Sequence, residues 1–236
     1  MNYFISDLHL GHTNCLRFDN RPFNSIEEQD KTIIKNWNDK VTDNDDVYIL
    51  GDISWYNPTK TAEIFSQLKG RLHLIRGNHD KISGKAAHFT GSKDFSPLEE
   101  SSKQSLGDVN STKQLKNKEL RDCFCEITDY KELYLDGRTG IVLCHYPIPC
   151  FKNHFYGWYH LYGHVHAGDE DKYMDEVKQE MVKRLDKPCN MYNVGCMKPY
   201  INYTPRSLDE IVRGYDLMKM EECSLTIQEH EYELDL

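Results

Sequence analysis

Short apolar runs that stop abruptly at polar residues punctuate this chain. Tyr3-Phe4-Ile5 ends at Ser6-Asp7, Val47-Tyr48-Ile49-Leu50 ends at Gly51-Asp52, and Leu72-His73-Leu74-Ile75 runs into Arg76-Gly77-Asn78-His79-Asp80. Runs of this length, bounded in this way, read as buried strands. Between them the period changes. Ser25-Ile26-Glu27-Glu28 is a capping-box pattern, and Ile26, Ile33, Ile34 and Trp37 follow at helical spacing, which predicts a helix over 26–39. Pro58 suits the first turn of another helix, with Ile64, Phe65 and Leu68 on its inner face and Gly70 at its end. This alternation predicts parallel strands joined by right-handed crossovers. In such sheets, sites form at the carboxyl ends of the strands.

The texture shifts between Lys81 and Asp122, where Ser, Lys, Gly, Asn and Asp crowd out apolar residues. A polar insertion or lid over 81–122 is expected, with a short helix over 113–120. Strand signals resume at 123–127, 132–135, 141–145, 159–163 and 191–194, with a turn at Asp136-Gly137. Helices are expected over 171–185 and 208–217. This half reads as more antiparallel than the first. No repeat or linker divides the chain, so a single domain over 1–236 is expected.

Composition narrows the partners. Hydrophobic residues make up 39% and charged residues 28%, which supplies a core and argues against global disorder. The net charge of −9, without a Lys/Arg stripe, opposes binding of a long nucleic acid. No run approaches the roughly 20 apolar residues of a membrane span, and no secretory leader opens the sequence. A cytoplasmic protein without a membrane partner is therefore expected. The eight cysteines include no C-x-x-C and read as reduced structural thiols. No feature of the sequence specifies an oligomeric state.

The chemistry concentrates behind the strands, in Asp7-x-His9, Gly51-Asp52, Gly77-Asn78-His79-Asp80, His145 and Gly163-His164-Val165-His166. One parallel sheet would bring these groups to one edge. Oxygen and nitrogen donors without a thiol suit Mn, Fe, Zn, Co or Ni. They are too many for one tetrahedral ion and enough for two ions sharing a ligand. Asp7 and His9, two apart, would share a side of an extended segment, and so would His164 and His166. The glycines before the donors permit sharp turns and close backbone approach.

The order D-x-H, G-D, G-N-H-D, H, G-H-x-H, spanning Asp7 to His166, resembles the calcineurin-like metallophosphoesterase superfamily. "FISDLHLGHTNCLRFDNRPF", "NWN" and "YILGDISW" resemble a subgroup of small stand-alone phosphoesterases of unassigned substrate. The resemblance implies an α/β fold, a double β-sheet sandwich flanked by helices. It also implies that Asp7, His9 and His166 hold one divalent cation, that Asn78, His145 and His164 hold another, and that Asp52 bridges them. Manganese is the first expectation for both. His79 would stay unligated and face the substrate, with Asp80 orienting it. A hydroxide bridging two such cations would attack phosphorus, and an imidazole could protonate the leaving alkoxide.

Outside that set, His12 is a candidate contact for substrate phosphate or a partner of the ligands, and Arg21 a candidate phosphate clamp. The expected activity is hydrolysis of a small phosphodiester, such as one of nucleotide type. A phosphomonoesterase, a nuclease and a non-catalytic protein-binding scaffold of the same fold are the rivals.

Overall fold

The computed structural model describes residues 1–82 and 120–234. The expected helix over 113–120 and nearly all of the expected insertion over 81–122 lie outside them.

The first sheet is parallel throughout and runs in chain order. β1 (Asn2–Ile5) pairs with β2 (Asp46–Ile49), β2 with β3 (Arg71–Ile75), and β3 with β4 (Glu126–Thr128). Its helices start where the sequence signals stand. α1 is a single turn, Cys15–Phe18. α2 (Ile26–Lys40) is capped by extended Ser25, whose hydroxyl accepts from Glu28 N at 3.2 Å. It turns Ile26, Ile33 and Trp37 inward, and the Trp37 indole donates to Lys69 O at 2.9 Å. α3 (Pro58–Phe65) has Pro at its start and Asn57 as its cap.

The second sheet comprises β5 (Tyr130–Tyr134), β6 (Gly140–Cys144), β7 (Tyr159–Tyr162) and β8 (Met191–Asn193). Only β5 and β6 are antiparallel, joined by a turn in which Asp136 Oδ1 accepts from Arg138 N at 2.7 Å. The other two pairings are parallel, against the antiparallel expectation for this half. The reason lies in the connections. Residues 145–158 and α4 (Asp169–Leu185) are long enough to return the chain for a parallel strand, which a hairpin turn cannot do. The last helix, α5 (Leu208–Leu234), runs well past the expected 217. After Gly214 the segment contains no Gly or Pro to stop it and is rich in Glu, Leu and Met.

The two sheets sandwich one core. Ile5, Ile49 and Leu74 of the first pack in a buried cluster with Leu143, Leu161 and Val194 of the second, and Trp37 and Ile211 come from the flanking helices. At the carboxyl edge the layers are tied by backbone. Ser6 N donates to Val194 O, and Cys196 N donates to Ser6 O, both at 2.9 Å. That seam lies one residue from Asp7. Among the described residues no helix is long and apolar enough to cross a membrane.

Candidate metal centre

The strand ends deliver their polar residues to one place. Asp7 and His9 follow β1, Asp52 follows β2, Asn78 and His79 follow β3, His145 follows β6, and His164 and His166 follow β7. The backbone there is not extended. Asp7, His9, Asp52, His164 and His166 have φ of 54°, 48°, 54°, 71° and 51°. The left-handed region is uncommon for non-glycine residues, though Asp and His enter it more readily than most. The same-side argument for Asp7/His9 and for His164/His166 is therefore corrected. They converge because each turns the chain sharply, not because an extended segment alternates its side chains. Backbone bonds between the loops hold these turns, with Asp7 N on Gly51 O and His9 N on Asp52 O, both at 3.0 Å. Two glycines make the room. A Cβ on Gly77 would collide with Asp52 Oδ1, and one on Gly163 with Asp7 Oδ2.

Around the Asp52 and Asp7 carboxylates the imidazoles stand at spacings too long for hydrogen bonds. Asp52 Oδ2 lies 3.8 Å from His9 Nε2, 3.7 Å from His145 Nε2 and 3.9 Å from His79 Nε2. His166 Nε2 lies 3.9 Å from Asp7 Oδ1. Two donors each about 2.1 Å from a shared ion stand about 3–4 Å apart. Asp7, His9 and His166 form one group that could hold a cation, and Asp7, Asp52 and His145 form an overlapping second. Asn78 completes the second side. Its Oδ1 is 3.0 Å from His145 Nε2 and 3.0 Å from His164 Nδ1.

Two of the inner nitrogens are aimed from behind. His145 Nδ1 meets Leu50 O at 2.6 Å, which turns Nε2 inward. His166 Nδ1 meets both oxygens of Asp19 at 2.9 Å, and its Nε2 faces His9 Nε2 at 3.1 Å. With Nδ1 committed to Asp19, that last contact requires a proton on one of the two Nε2 atoms. A divalent cation in the proton's place would satisfy both, so the residues present fit such an ion. Burial, then the neighbouring His166, holds the His9 imidazole neutral, with its pKa down to about 2. For His166 burial pulls the same way, but the hydrogen bond to Asp19 and the charge of Asp7 outweigh it and raise the pKa. Protons thus compete with a cation at His166, and binding there weakens in acid.

Two candidate roles look different in the structure. Arg21 is not presented to a substrate. Its guanidinium is buried and donates to Asp7 O at 3.1 Å, Leu8 O at 3.2 Å, Gln29 Oε1 at 3.1 Å and Asp19 Oδ2 at 2.9 Å. The expected phosphate clamp is a brace beneath the Asp7–His9 turn. Asp80 does not meet the His79 ring. Its carboxylate accepts from the N–H groups of Gly77, Asp52 and Ile53 at 2.7, 2.9 and 3.0 Å, so it tethers the loop after β3 to the loop after β2. His79 itself is half-exposed, and its N–H donates to Asp52 Oδ1 at 3.0 Å. His12 belongs to neither donor group. Its ring stacks on Trp55 at 4.0 Å with an interplanar angle of 4°.

Asp19 and Trp55 were missed as functional candidates. Asp19 had a signal, since a buried arginine needs a carboxylate and Asp19 stands two residues before Arg21. Cys15, Cys123, Cys125, Cys144, Cys150, Cys189 and Cys196 are free thiols, as expected.

A model of the calcineurin-like phosphoesterase family matches residues 3–173. The chain is 32% identical over 213 residues to an uncharacterized protein, MJ1445, of Methanocaldococcus jannaschii, covering 89% of each. It is 40% identical over 83 residues to the gene 66 protein of Mycobacterium phage L5, which covers 33% of this chain and 39% of that one. A crystal structure of a protein of unknown function from Aquifex aeolicus aligns with 90% of this chain and 98% of its own, at 21% identity and a TM-score of 0.49.

The brace has a measurable consequence. Replacing Arg21 by Met strands Asp19 and two carbonyls in the interior, and should lower the unfolding free energy by about 3–5 kcal/mol in urea titrations. An unchanged midpoint with a raised KM would return Arg21 to the substrate.

Proposed function

The chain belongs to the calcineurin-like phosphoesterase family, and from that premise we propose that it is a cytoplasmic hydrolase of small phosphate esters, phosphodiesters foremost, working with two divalent cations. The observation that carries this reading is the meeting of two overlapping donor groups from four strand ends, beside an imidazole that belongs to neither. Asp7, His9 and His166 would hold one cation, and Asn78, His145 and His164 the other, with Asp52 between them. Manganese suits such hard oxygen and imidazole donors. When bound, the pair supplies Lewis acidity toward phosphoryl oxygens and a water of lowered pKa.

The chain's own residues do the rest. Leu50 O and Asp19 fix which ring nitrogen of His145 and His166 faces inward. Asp80 holds the loops carrying Asp52 and His79 at a constant separation through three backbone bonds. His79, with Nε2 3.9 Å from Asp52 Oδ2 and its ring exposed, is placed to give a proton to a departing ester oxygen. His12 stands beside it, across the Trp55 ring, within reach of a phosphate bound at the mouth. The acidic surface favours small substrates over polymers, because only the centre itself attracts an anion.

Chelation should abolish hydrolysis of a chromogenic phosphodiester, and Mn²⁺ should restore it; activity indifferent to chelator would end the two-cation reading. Running the monoester with the same leaving group in parallel ranks the two substrate classes. The His79→Ala variant should keep its metal content while kcat falls about 10²–10⁴-fold. Loss of metal instead would make His79 a ligand. Asp19→Asn should keep the fold and weaken metal affinity about 10–100-fold, read by competition with a fluorescent chelator.

A further inference from the structure

A cavity of about 370 Å³ opens beside His79. Ile53, Trp55, Pro58, Ile82 and Leu120 line it, and His79 forms part of its wall. Nothing in the proposed chemistry so far uses this space. We propose that it receives the leaving group of the ester, and that this group is neutral and largely apolar, an aryl-methyl or nucleoside-like alcohol. The inference rests on the phosphoesterase reading and names the substrate class for it.

Position is the first argument. His79 borders both the donors and the cavity, with Nε2 3.9 Å from Asp52 Oδ2 and its ring, part of the cavity wall, 4.4 Å from the Trp55 ring. Hydrolysis adds water across the P–O bond. The hydroxyl stays on phosphorus, and the ester oxygen takes a proton and departs as the alcohol. If His79 gives that proton, the carbon skeleton attached to the oxygen lies on the His79 side, where the cavity is.

The lining is the second argument. Three of its polar side chains are already engaged within the protein. Thr61 Oγ1 donates to Ser54 Oγ at 3.0 Å, and Ser54 Oγ accepts from Tyr56 N at 3.1 Å. The Asp80 carboxylate is taken by its three backbone donors. Beside these stand the side chains of Ile53, Pro58, Ile82 and Leu120 and the indole of Trp55, with Lys81 contributing a positive charge that disfavours a cationic occupant. The volume lies near the lower end of the about 300–1,000 Å³ of small-molecule sites, which suits a group of one or two rings.

Benzyl ethyl phosphate tests this by internal competition. Its two alkoxides compete on one phosphorus, and the products report which alcohol occupied the cavity. The manganese-loaded protein should release benzyl alcohol over ethanol by about tenfold or more. Filling the cavity with Ile82→Trp should bring the ratio toward one, with the melting temperature checking the fold. Ile82→Ala, which cannot overpack, should instead admit a naphthylmethyl ester that the wild type turns over about tenfold more slowly than the benzyl ester. If only monoesters are cleaved, the kcat/KM ratio of benzyl to ethyl phosphate gives the same readout.

A second readout needs no turnover. Trp37 and Trp158 are buried at 0% and 2% exposure while Trp55 is 42% exposed, so benzylphosphonate should perturb the accessible tryptophan fluorescence and ethylphosphonate should not. Equal release of both alcohols, or a partition unmoved in folded Ile82→Trp, would overturn the subsite and leave the phosphoesterase standing. No hydrolysis of any of these esters by the metal-loaded protein would overturn both.

Discussion

One buried guanidinium carries the centre. Arg21 lies under the turn that follows the first strand, and its donors hold the carbonyls of Asp7 and Leu8 together with the carboxylate of Asp19. Those carbonyls belong to backbone in the left-handed region or beside it, where an ordinary strand end would not stay. Asp19, once held, fixes the His166 ring. The same guanidinium therefore supports donors that arrive from both sheets, although its own nitrogens are spent on Asp7, Leu8, Asp19, Gln29 and Cys196. Burying such a charge costs several kcal/mol unless it is fully paired, and here each part of the fork has a partner.

Five left-handed donor residues in one site amount to stored strain. Each such residue costs of order 1–3 kcal/mol when the surroundings do not compensate. The compensation is visible in the bonds between loops, in Asp80, and in Asn193, which holds His166 O at 2.6 Å and is itself held by Asp171. Asp171 in turn pairs with Lys198 inside the protein. The donors are thus fixed before any substrate arrives, and little ordering is left for binding to supply.

Much of this was legible in the sequence, and the gaps have physical causes. The strands and their polar ends could be read because apolar runs bounded by glycine and acid leave few alternatives. The meeting of Asp7, His9, Asp52, His145 and His166 was legible because each follows a strand. Arg21 was misread because a guanidinium serves a phosphate or a buried carboxylate equally well, and only burial separates the two. The direction of the second sheet was misread because strand spacing alone does not say whether the intervening residues form a turn or a crossover. Trp55 carried no readable signal at all, since its role depends on rings from His12 and His79 that meet only in three dimensions.

The backbone seam at Ser6, with bonds to Val194 and Cys196, has a kinetic meaning. It joins the first strand to the last, and the His9–His166 contact beside it spans 157 residues of sequence. Contacts that distant form late, because the loop they close must be ordered first. A nascent or partly folded chain therefore carries scattered histidines and acids but no chelating geometry. Tight ion capture becomes a report that both sheets have docked, and the fold protects itself from being trapped around a metal before it is complete.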